Sequence, residues 1–444
     1  MVKIAVIGTG YVGLVSGACL ADFGNRVICA DIDSKKISLL KKGLIPIYEP
    51  GLEDVVNNNV KAERLIFTDE LRGAIADSEV VFIAVGTPPL PDGSADLSQV
   101  EAVARQIGKV IEDYKVVVNK STVPIGTARK VQSWLREELA IRGMSNIGFD
   151  VVSNPEFLRE GSAVFDFMHP DRVVIGAETQ KARDIMKAVY RALYLTETPY
   201  IETGLETAEM IKYAANSFLA LKITFINEIA NLCEKVGADV QDVAKAMGRD
   251  KRIGPKFLHP GPGYGGSCFP KDTKAIAWLA RQAGSPLTLI EATIAANERQ
   301  RELMLAKIEK GLSGEGGLAH KTLALLGLSF KPNTDDLRDS PALDLARGLL
   351  ARGASLRLYD PIALQAVKSF FSGSAAKVYL ANDEYDAITG AHALIIATEW
   401  NQFRNLDLTR IKGLLVAPYF FDLRNIYQRQ AVEEKGLKYF GVGK

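Results

Sequence analysis

Short apolar runs alternate with helical patterns over the first part of the chain. Residues 3–7, 26–30, 80–85 and 116–119 are rich in β-branched residues and almost continuously apolar. Such runs are typical of strands that are buried on both faces of a sheet. A helical pattern at residues 12–23 separates the first two runs. Alternating strands and helices of this kind predict a parallel sheet with helices on both sides.

A long helical pattern occupies residues 205–236, and a helix of that length would extend about 50 Å. Its apolar residues point in most directions, which predicts a helix buried between domains, between subunits or both. Gly237 is the predicted stop signal. A glycine-rich linker follows at residues 311–320. After the linker, strand patterns return at residues 323–326 and 356–359.

The second run of strands and helices repeats the first. Its second strand ends in Asp360, as the second strand of the first run ends in Asp31. The predicted fold class is therefore α/β, with two Rossmann-like doubly wound domains joined by a helical middle domain that contains one long central helix. The expected domains are residues 1–200, 201–310 and 318–444.

The composition argues against several classes of function. The 54 Lys and Arg residues balance 53 Asp and Glu residues, so no overall charge favours nucleic acid or an anionic membrane. We find neither an apolar run of about 20 residues, as a membrane span needs, nor a secretion signal, and we expect a cytoplasmic protein. The 4 cysteines and 4 histidines lack metal-ligand spacing, so neither a metal site nor a disulfide framework is expected.

Residues 8–13 read Gly-Thr-Gly-Tyr-Val-Gly and lie between the first strand and the first helix. In such a fingerprint Gly8 makes the tight turn, Gly10 lets the backbone approach a pyrophosphate, and Gly13 lets the helix pack closely on the strand. The helix N-terminus then presents free N–H groups to the phosphates. The segment predicts a dinucleotide site, with a glycine-rich turn that serves packing alone as the alternative.

Asp31 bears on the choice of dinucleotide. Its carboxylate is placed to bind a ribose diol and would repel a 2′-phosphate, so NAD is expected rather than NADP. Lys35 and Lys36 follow closely and would offset part of that repulsion. The second repeat lacks the glycine fingerprint, because its first turn at residues 327–332 reads Gly-Leu-Ser-Phe-Lys-Pro. A nucleotide is therefore a more suitable ligand there than a dinucleotide.

Cys268 ends a glycine-rich loop and precedes a helical pattern that opens with Pro270. A position before a helix N-terminus, with Lys271 nearby, favours the thiolate. A thiolate beside a nicotinamide can add to an aldehyde, and the adduct can be oxidised to a thioester that water hydrolyses to an acid. We therefore predict a nucleophile, with a packing role as the alternative. A packing role is expected for the remaining cysteines, which are Cys19, Cys29 and Cys233.

Three other segments carry polar groups in informative places. Lys212 and Asn216 lie one turn apart on the long helix, where they could stabilise a developing alkoxide. A structural ion pair is the alternative for the lysine. Residues 121–124 follow a predicted strand at the carboxyl edge of the sheet, where doubly wound sheets bind ligands. Glu156 and Glu160 are predicted one turn apart on a short helix opened by a proline, and simple solvent exposure is their alternative.

Together these motifs resemble those of the UDP-glucose/GDP-mannose dehydrogenase family over nearly the whole chain. The matching segments are GTGYVG (8–13), VGTP (85–88), STVP (121–124), NPEFLREG (154–161), FLHPGPGYGGSCFPKD (257–272) and SFKPNTDDLRDSP (329–341). The resemblance implies a four-electron oxidation of a sugar C6 alcohol to a carboxylate with two molecules of NAD. Ser267 and the FPKD sequence look like the branch that acts on UDP-glucose, the expected substrate. GDP-mannose and UDP-N-acetyl sugars are the alternatives.

The resemblance also implies roles for individual residues. The catalytic set comprises the nucleophile Cys268, the oxyanion-stabilising pair Lys212 and Asn216, the water-positioning groups Asp272 and Thr122, and the acid/base residue Glu156. The residues expected to bind NAD are Gly8, Gly10, Tyr11, Val12, Gly13, Asp31, Lys36, Thr87, Thr122, Glu160, Lys271 and Arg338. The residues expected to bind the nucleotide-sugar are Glu156, Phe157, Leu158, Arg159, Glu160, Lys212, Asn216, Arg252, Phe257, Leu258, His259, Pro260, Gly261, Gly265 and Lys331.

Two further implications concern the assembly and the phosphate contacts. Arg252 is expected to reach in from a partner subunit, since the family and the apolar central helix both indicate a homodimer. Arg424 is a further candidate for a phosphate or sugar contact. Two other functions remain as hypotheses, an NAD-binding regulator without chemistry and a two-electron hydroxy-acid dehydrogenase. The presence of Cys268 and Lys212 argues against the regulator. The two-electron dehydrogenase is disfavoured because it would leave the third domain without a role.

Overall fold

The computed structural model describes the backbone of residues 1–444 and the side chains of all but residues 374–376. The chain divides into two compact units, Met1–Ala215 and Asn216–Lys444. A search of the described helices finds none that is both long and apolar enough to cross a membrane.

The first unit is built on a sheet with strand order β3-β2-β1-β4-β5-β6-β7-β8. Its strands are β1 (Lys3–Ile7), β2 (Arg26–Ala30), β3 (Leu65–Thr68), β4 (Val80–Ile83), β5 (Lys115–Asn119), β6 (Phe149–Ser153), β7 (Val173–Gly176) and β8 (Tyr200–Thr203). Neighbouring strands are parallel except β6 and β7. The first six follow the order of a Rossmann fold.

Helices cover both faces of this sheet because its central strands are apolar on both sides. Along β1, Ile4 and Val6 belong to one core, and Ala5 and Ile7 belong to the core on the opposite face. The helices are α1 (Tyr11–Asp22), α2 (Ser34–Lys41), α3 (Leu52–Lys61), α4 (Leu71–Ala76), α5 (Ser98–Val110), α6 (Thr127–Ile141), α7 (Ala163–Met168) and α8 (Gln180–Val189).

The second unit contains a parallel sheet of order β11-β10-β9-β12-β13-β14, which repeats the Rossmann order. Its strands are β9 (Thr322–Leu326), β10 (Ser355–Tyr359), β11 (Val378–Leu380), β12 (Ala393–Ile396), β13 (Tyr419–Asp422) and β14 (Lys438–Phe440). Side chains along β9 alternate between the two faces of the sheet, with Leu323 and Leu325 in one core and Ala324 and Leu326 in the other. Two sheets of this kind confirm the predicted α/β class.

The long central helix α9 (Leu205–Val236) begins and ends at the predicted residues and passes from one unit into the other. The later helices are α10 (Val240–Arg249), α11 (Phe269–Gln282), α12 (Thr288–Gly311), α13 (Pro341–Ala351), α14 (Leu364–Phe370), α15 (Glu384–Ile388), α16 (Leu408–Leu414) and α17 (Arg429–Glu433). Ile226, Val240 and Ile308, from α9, α10 and α12, lie in one core with β9 residues. The helical middle therefore packs with the second sheet.

Burial of α9 is incomplete. Ile226 and Ala230 are fully buried, whereas Phe218, Phe225 and Leu232 are 60%, 44% and 56% exposed. These three residues are spaced by seven, which is close to two helical turns, so they form one stripe along the helix. We call Phe218, Phe225 and Leu232 the α9 stripe.

Candidate active site

The glycine-rich turn has the local geometry of a phosphate-binding loop. Gly8 has a φ of +101°, and a Cβ there would lie 2.6 Å from the Ala84 carbonyl oxygen. A Cβ at Gly13 would lie 1.9 Å from the Gly8 carbonyl oxygen. At Gly10, by contrast, a Cβ would meet none of the described atoms within 4 Å. Gly8 and Gly13 therefore serve packing, while Gly10 leaves room at the start of α1, where Tyr11 and Val12 form the first turn.

Asp31 lies at the end of β2 and faces this turn. Its Oδ2 accepts hydrogen bonds from the Thr9 amide at 2.7 Å and the Thr9 hydroxyl at 2.8 Å. Lys36 Nζ lies 3.3 Å from the same oxygen. Burial alone would raise the pKa of Asp31, but the Asp33 amide, the two Thr9 groups and the Lys36 charge outweigh burial and lower that pKa. An ionised carboxylate beside an open glycine turn fits an NAD ribose.

Asp360 takes the equivalent place in the second unit and binds one more amide of its turn than Asp31 does. Its Oδ2 accepts hydrogen bonds from the amides of Leu328 at 2.7 Å and Ser329 at 3.0 Å. It also accepts from the Trp400 indole at 3.3 Å. The Leu328 bond matches that of the Thr9 amide to Asp31, whereas Ser329, which takes the place of Gly10, has its amide satisfied within the protein.

Two predicted ligand-binding threonines meet at the carboxyl edge of the first sheet. The Thr87 hydroxyl donates to the Thr122 carbonyl at 2.8 Å. The neighbouring Ser121 hydroxyl donates to the Val85 carbonyl at 2.7 Å. These bonds join the segments after β4 and β5, so both threonines lie where a doubly wound sheet binds its ligand.

Glu156 and Lys212 form a buried ion pair in the first unit. Glu156 Oε1 lies 2.9 Å from Lys212 Nζ, and the two side chains are only 5% and 4% exposed. Burial would raise the pKa of Glu156, but the charge and hydrogen bond of Lys212, the Leu158 amide and the charge of Lys120 together lower it. The Glu156 carboxylate is therefore held in its ionised form beside a buried lysine.

The prediction of a short helix around Glu156 and Glu160 is wrong. Residues 154–160 form an irregular segment, and α7 begins only at Ala163. A proline disfavours helical conformation in the residue before it, here Asn154. Side chains then satisfy the local backbone, because Glu156 Oε2 accepts from the Leu158 amide at 2.6 Å. Glu156 and Glu160 are thus separated by an irregular segment rather than one helical turn.

Other predicted substrate residues in this segment have partners in the first unit. The Arg159 guanidinium pairs with Asp166 at 2.6 Å. The Arg172 guanidinium carbon lies 3.6 Å from the centre of the Phe157 ring, and Lys212 Nζ lies 5.4 Å from that centre.

Cys268 in the second unit is the N-cap residue of α11 and is half-buried. Its carbonyl accepts from the Asp272 amide at 2.8 Å, and its Sγ lies 3.5 Å from the Ser267 hydroxyl. The other three cysteines are buried, and burial raises the pKa of the Cys29 thiol to about 12. Among the cysteines, all of which the structure describes, only Cys268 combines access with a helix N-terminus.

Asp272 links the other predicted catalytic groups of the second unit. Its carboxylate is fully buried. Oδ2 accepts from the side-chain amide of Asn216 (Nδ2) at 2.6 Å, and Oδ1 pairs with Lys271 Nζ at 2.7 Å. This network fixes the side chain of Asn216 on α9 relative to the first turn of α11.

The cysteine loop packs against the segment at residues 329–341. A Cβ at Gly265 would lie 2.2 Å from the Asp339 carbonyl oxygen. The Gly266 amide donates to the Arg338 carbonyl at 3.0 Å, while the Arg338 side chain pairs with Asp336 at 2.8 Å. Two segments predicted to bind ligand are thus brought together. Lys331 from the same segment lies 5.3 Å from the Phe330 ring centre.

The predicted substrate segment at residues 257–261 lies beside Arg424. A Cβ at Gly261 would approach Arg424 Nη1 to 2.6 Å, and Arg424 Nε pairs with Glu399 at 2.6 Å. Phe257 adopts a φ of +64°. Within the segment Leu258 and Pro260 are buried and His259 is exposed. Arg252 lies apart, paired with Asp250, and its side chain is 89% exposed.

Several residues that hold these segments in place were missed from the sequence. Glu49 is buried and accepts hydrogen bonds from the Tyr11 hydroxyl and from the amides of Gly161 and Ala163. Asn297 and Gln300 on α12 bond to Tyr264 and Gly261 of the cysteine loop. The signal for this last pair is a polar stripe on an otherwise apolar helix face, whereas Glu49 has no comparable signal.

The Rossmann turn with its ionised aspartate, and the accessible cysteine at a helix N-terminus, define a Rossmann-type dehydrogenase with a candidate nucleophile. The sequence matches the NAD binding domain of the UDP-glucose/GDP-mannose dehydrogenase family over residues 2–194. It matches the central domain over residues 206–299 and the UDP binding domain over residues 324–429. The chain belongs to the UDP-glucose/GDP-mannose dehydrogenase family.

Individual relatives are similar along the full length. UDP-glucose 6-dehydrogenase of Rhizobium meliloti (strain 1021) is 51% identical, and the match covers 100% of this chain and 99% of the relative. A UDP-glucose dehydrogenase structure from the archaeon Pyrobaculum islandicum is 39% identical with a TM-score of 0.91, covering 100% and 98% of the two chains. A UDP-D-ManNAc dehydrogenase structure from Pyrococcus horikoshii is 28% identical with a TM-score of 0.86, covering 99% of each.

Proposed function

We propose that this chain oxidises the C6 alcohol of UDP-glucose to the carboxylate of UDP-glucuronate, with two molecules of NAD consumed per product. The observation that carries the proposal is the half-buried Cys268 at the start of α11, next to the buried Asp272 network. The full-length similarity to the Rhizobium meliloti enzyme supports the choice of substrate.

We infer a division of labour along the chain. Residues 1–200 hold NAD through the glycine turn and Asp31, residues 201–310 supply the cysteine loop, and residues 318–444 hold the nucleotide-sugar. The three matched family segments support these bounds. NAD, when bound, accepts a hydride from C6 in each of the two oxidations.

The protein groups then act on the sugar carbon. Glu156 takes the proton of the C6 alcohol, because its carboxylate is held ionised by Lys212. The Cys268 thiolate adds to the resulting aldehyde, and the C6 oxygen becomes an oxyanion that Lys212 and Asn216 stabilise. Loss of the second hydride leaves a thioester on Cys268. Water positioned by Asp272 and Thr122 hydrolyses this thioester, which releases the carboxylate and restores the thiol.

The sugar is tested by a substrate panel. We expect NADH formation with UDP-glucose and no comparable rate with GDP-mannose or UDP-N-acetylmannosamine, all measured with NAD in excess. Quantified UDP-glucuronate should equal half of the NADH formed. Turnover with another nucleotide-sugar alone would retain the chemistry and refute the substrate, while one NADH per product would refute the four-electron reaction.

We also propose a homodimer formed through α9. The α9 stripe places large apolar side chains in solvent within one chain, and burial of such a surface against a second copy is favourable. Light scattering should give a dimer for the native protein and a monomer for Phe225→Glu. Val416→Glu is the matched control, because Val416 is 64% exposed and lies outside the stripe. A monomeric native protein would contradict the proposal.

A further inference from the structure

Lys120 is a buried lysine that the proposed reaction does not yet use. It follows β5 directly and is 4% exposed. Its Nζ lies 3.1 Å from Asn154 Oδ1 and 3.1 Å from the Tyr190 hydroxyl, which itself donates to Asn154 Oδ1 at 2.6 Å. The Phe167 ring centre is 5.8 Å away. The amine therefore lies beside two aromatic side chains and donates to the Asn154 side-chain oxygen and to the Tyr190 hydroxyl.

Asn154 is the residue through which Lys120 acts. Its Oδ1 accepts from both Lys120 and Tyr190, and its Nδ2 donates to the Val174 carbonyl at 2.7 Å. Its backbone amide donates to the Asn119 carbonyl at 3.0 Å. Only Pro155 separates this fixed side chain from Glu156. The position of Asn154 therefore sets where the irregular segment begins and where it presents the Glu156 carboxylate to Lys212.

Charges on two neighbouring elements also act on Lys120. The Glu156 carboxylate favours its protonated form, and the Lys212 ammonium on α9 disfavours it. Tyr190, just after α8, also faces Lys120 with a titratable proton, and burial raises the pKa of its hydroxyl. Burial, the largest effect, together with Lys212 lowers the pKa of Lys120 to about 7. The charges of the Glu156–Lys212 pair thus act on Lys120, whose hydrogen bonds go to Asn154 and Tyr190.

We propose that Lys120 is a positioning residue for the oxidation, which fixes Asn154 and thereby the Glu156 carboxylate opposite Lys212. This inference rests on the proposed function for the meaning of Glu156. Two features of the resting protein are independent of turnover: the hydrogen bonds that hold Asn154, and the electrostatic coupling of Lys120 to the Glu156–Lys212 pair.

The coupling is measured by NMR on protein with ¹³C-labelled lysine ε-carbons, where the signal missing from Lys120→Met identifies Lys120. We expect that signal to titrate near pH 7. Glu156→Gln should shift the midpoint to lower pH because it removes an attracting charge, and Lys212→Met should shift it to higher pH. A midpoint that moves in neither variant would overturn the inference, whatever the activity.

The kinetic arm uses as its control a second buried lysine, which lies in β5 itself. Lys115, at the opposite end of β5, is 2% exposed and donates to the carbonyls of Ala76 and Ser78. Lys120→Met should lower kcat about tenfold, which is the equivalent of one hydrogen bond. It should also abolish the inflexion near pH 7 in the plot of kcat against pH. The KM for NAD should stay within about twofold. Lys115→Met should lower the melting temperature and leave kcat and its pH profile unchanged.

The outcomes separate the two proposals. If native protein makes no NADH from any nucleotide-sugar, the proposed function fails, and the NMR titration still shows whether Lys120 is coupled to the Glu156–Lys212 pair. If native protein turns over and Lys120→Met behaves like Lys115→Met in both kcat and pH profile, Lys120 is structural and the inference is wrong.

Discussion

Substitution of Gly265 by alanine tests whether the cysteine loop needs its close approach to the 329–341 segment. The added Cβ would lie 2.2 Å from the Asp339 carbonyl oxygen and 2.8 Å from Pro341 Cδ. Both neighbours belong to backbone or to a proline ring, so neither can rotate away. The loop, or the segment at 339–341, must therefore move to accommodate the methyl group.

The size of the effect follows from that displacement. Carbon and oxygen normally stay more than about 3.2 Å apart, so the loop must move by about 1 Å. A shift of this size in a catalytic group can lower a rate about 100-fold, and overpacking of a filled site costs about 1–3 kcal/mol. We expect kcat for NADH formation to fall about 100-fold and the free energy of unfolding to fall by about 1–3 kcal/mol.

The assay compares Gly265→Ala with Gly413→Ala. Gly413 lies in α16, and a Cβ there would meet none of the described atoms within 4 Å. The control should keep the native kcat and be equally or slightly more stable, because alanine favours a helix more than glycine does. Native kcat in Gly265→Ala would refute the argument that this contact fixes the position of Cys268.

Three further predictions concern the charged and nucleophilic groups. Asp31→Ala should raise the Kd for NAD about 10-fold or more, which is the equivalent of a charged hydrogen bond. The Kd for NADP, measured in the same way by calorimetry, should change much less. Equal changes in the two Kd values would show that Asp31 does not discriminate between the cofactors. The lowered pKa of Glu156 means that its stabilisation is complete above the ordinary glutamate pKa and is lost as pH falls through the folded pKa. Urea unfolding should therefore show that Glu156→Gln is less stable than the native protein by about 3–5 kcal/mol at pH 7, as for a broken buried ion pair. The difference in the free energy of unfolding should be smaller below about pH 4. A difference that is the same at both pH values would contradict an ionised Glu156. Cys268→Ala should abolish acid formation and keep the Kd for NAD within about twofold, and a parallel loss of NAD affinity would indicate a structural cysteine.

The fold was predictable because periodicity is a local property of the sequence. The bounds of β1, β2 and α9 agree with the predicted ones, since each element is uniform in pattern from end to end. The helix predicted after β6 does not form, because Pro155 and the hydrogen bonds of the Asn154 and Glu156 side chains favour an irregular backbone despite the helical spacing of the sequence. The partner of Glu156 is local, but the partner of Asn154 is Val174, 20 residues away, which the local pattern does not contain.

The candidate site divides in the same way. Glycine turns, the helix-capping Cys268 and the terminal aspartates were readable because each role depends on a few adjacent residues. Lys120 and Glu49 were not, because their partners Tyr190 and Gly161 are 70 and 112 residues away. The apolar pattern of α9 also does not distinguish burial within a chain from burial between chains. The homodimer and the cytoplasmic location stay predictions.

The most direct test of the central claim is mass spectrometry of the protein, quenched in acid within the first turnover of UDP-glucose and NAD. Covalent catalysis predicts a uronyl adduct on the peptide that contains Cys268, formed only when both UDP-glucose and NAD are present. Accumulation of UDP-glucuronate with no adduct on Cys268 at any quench time would contradict it.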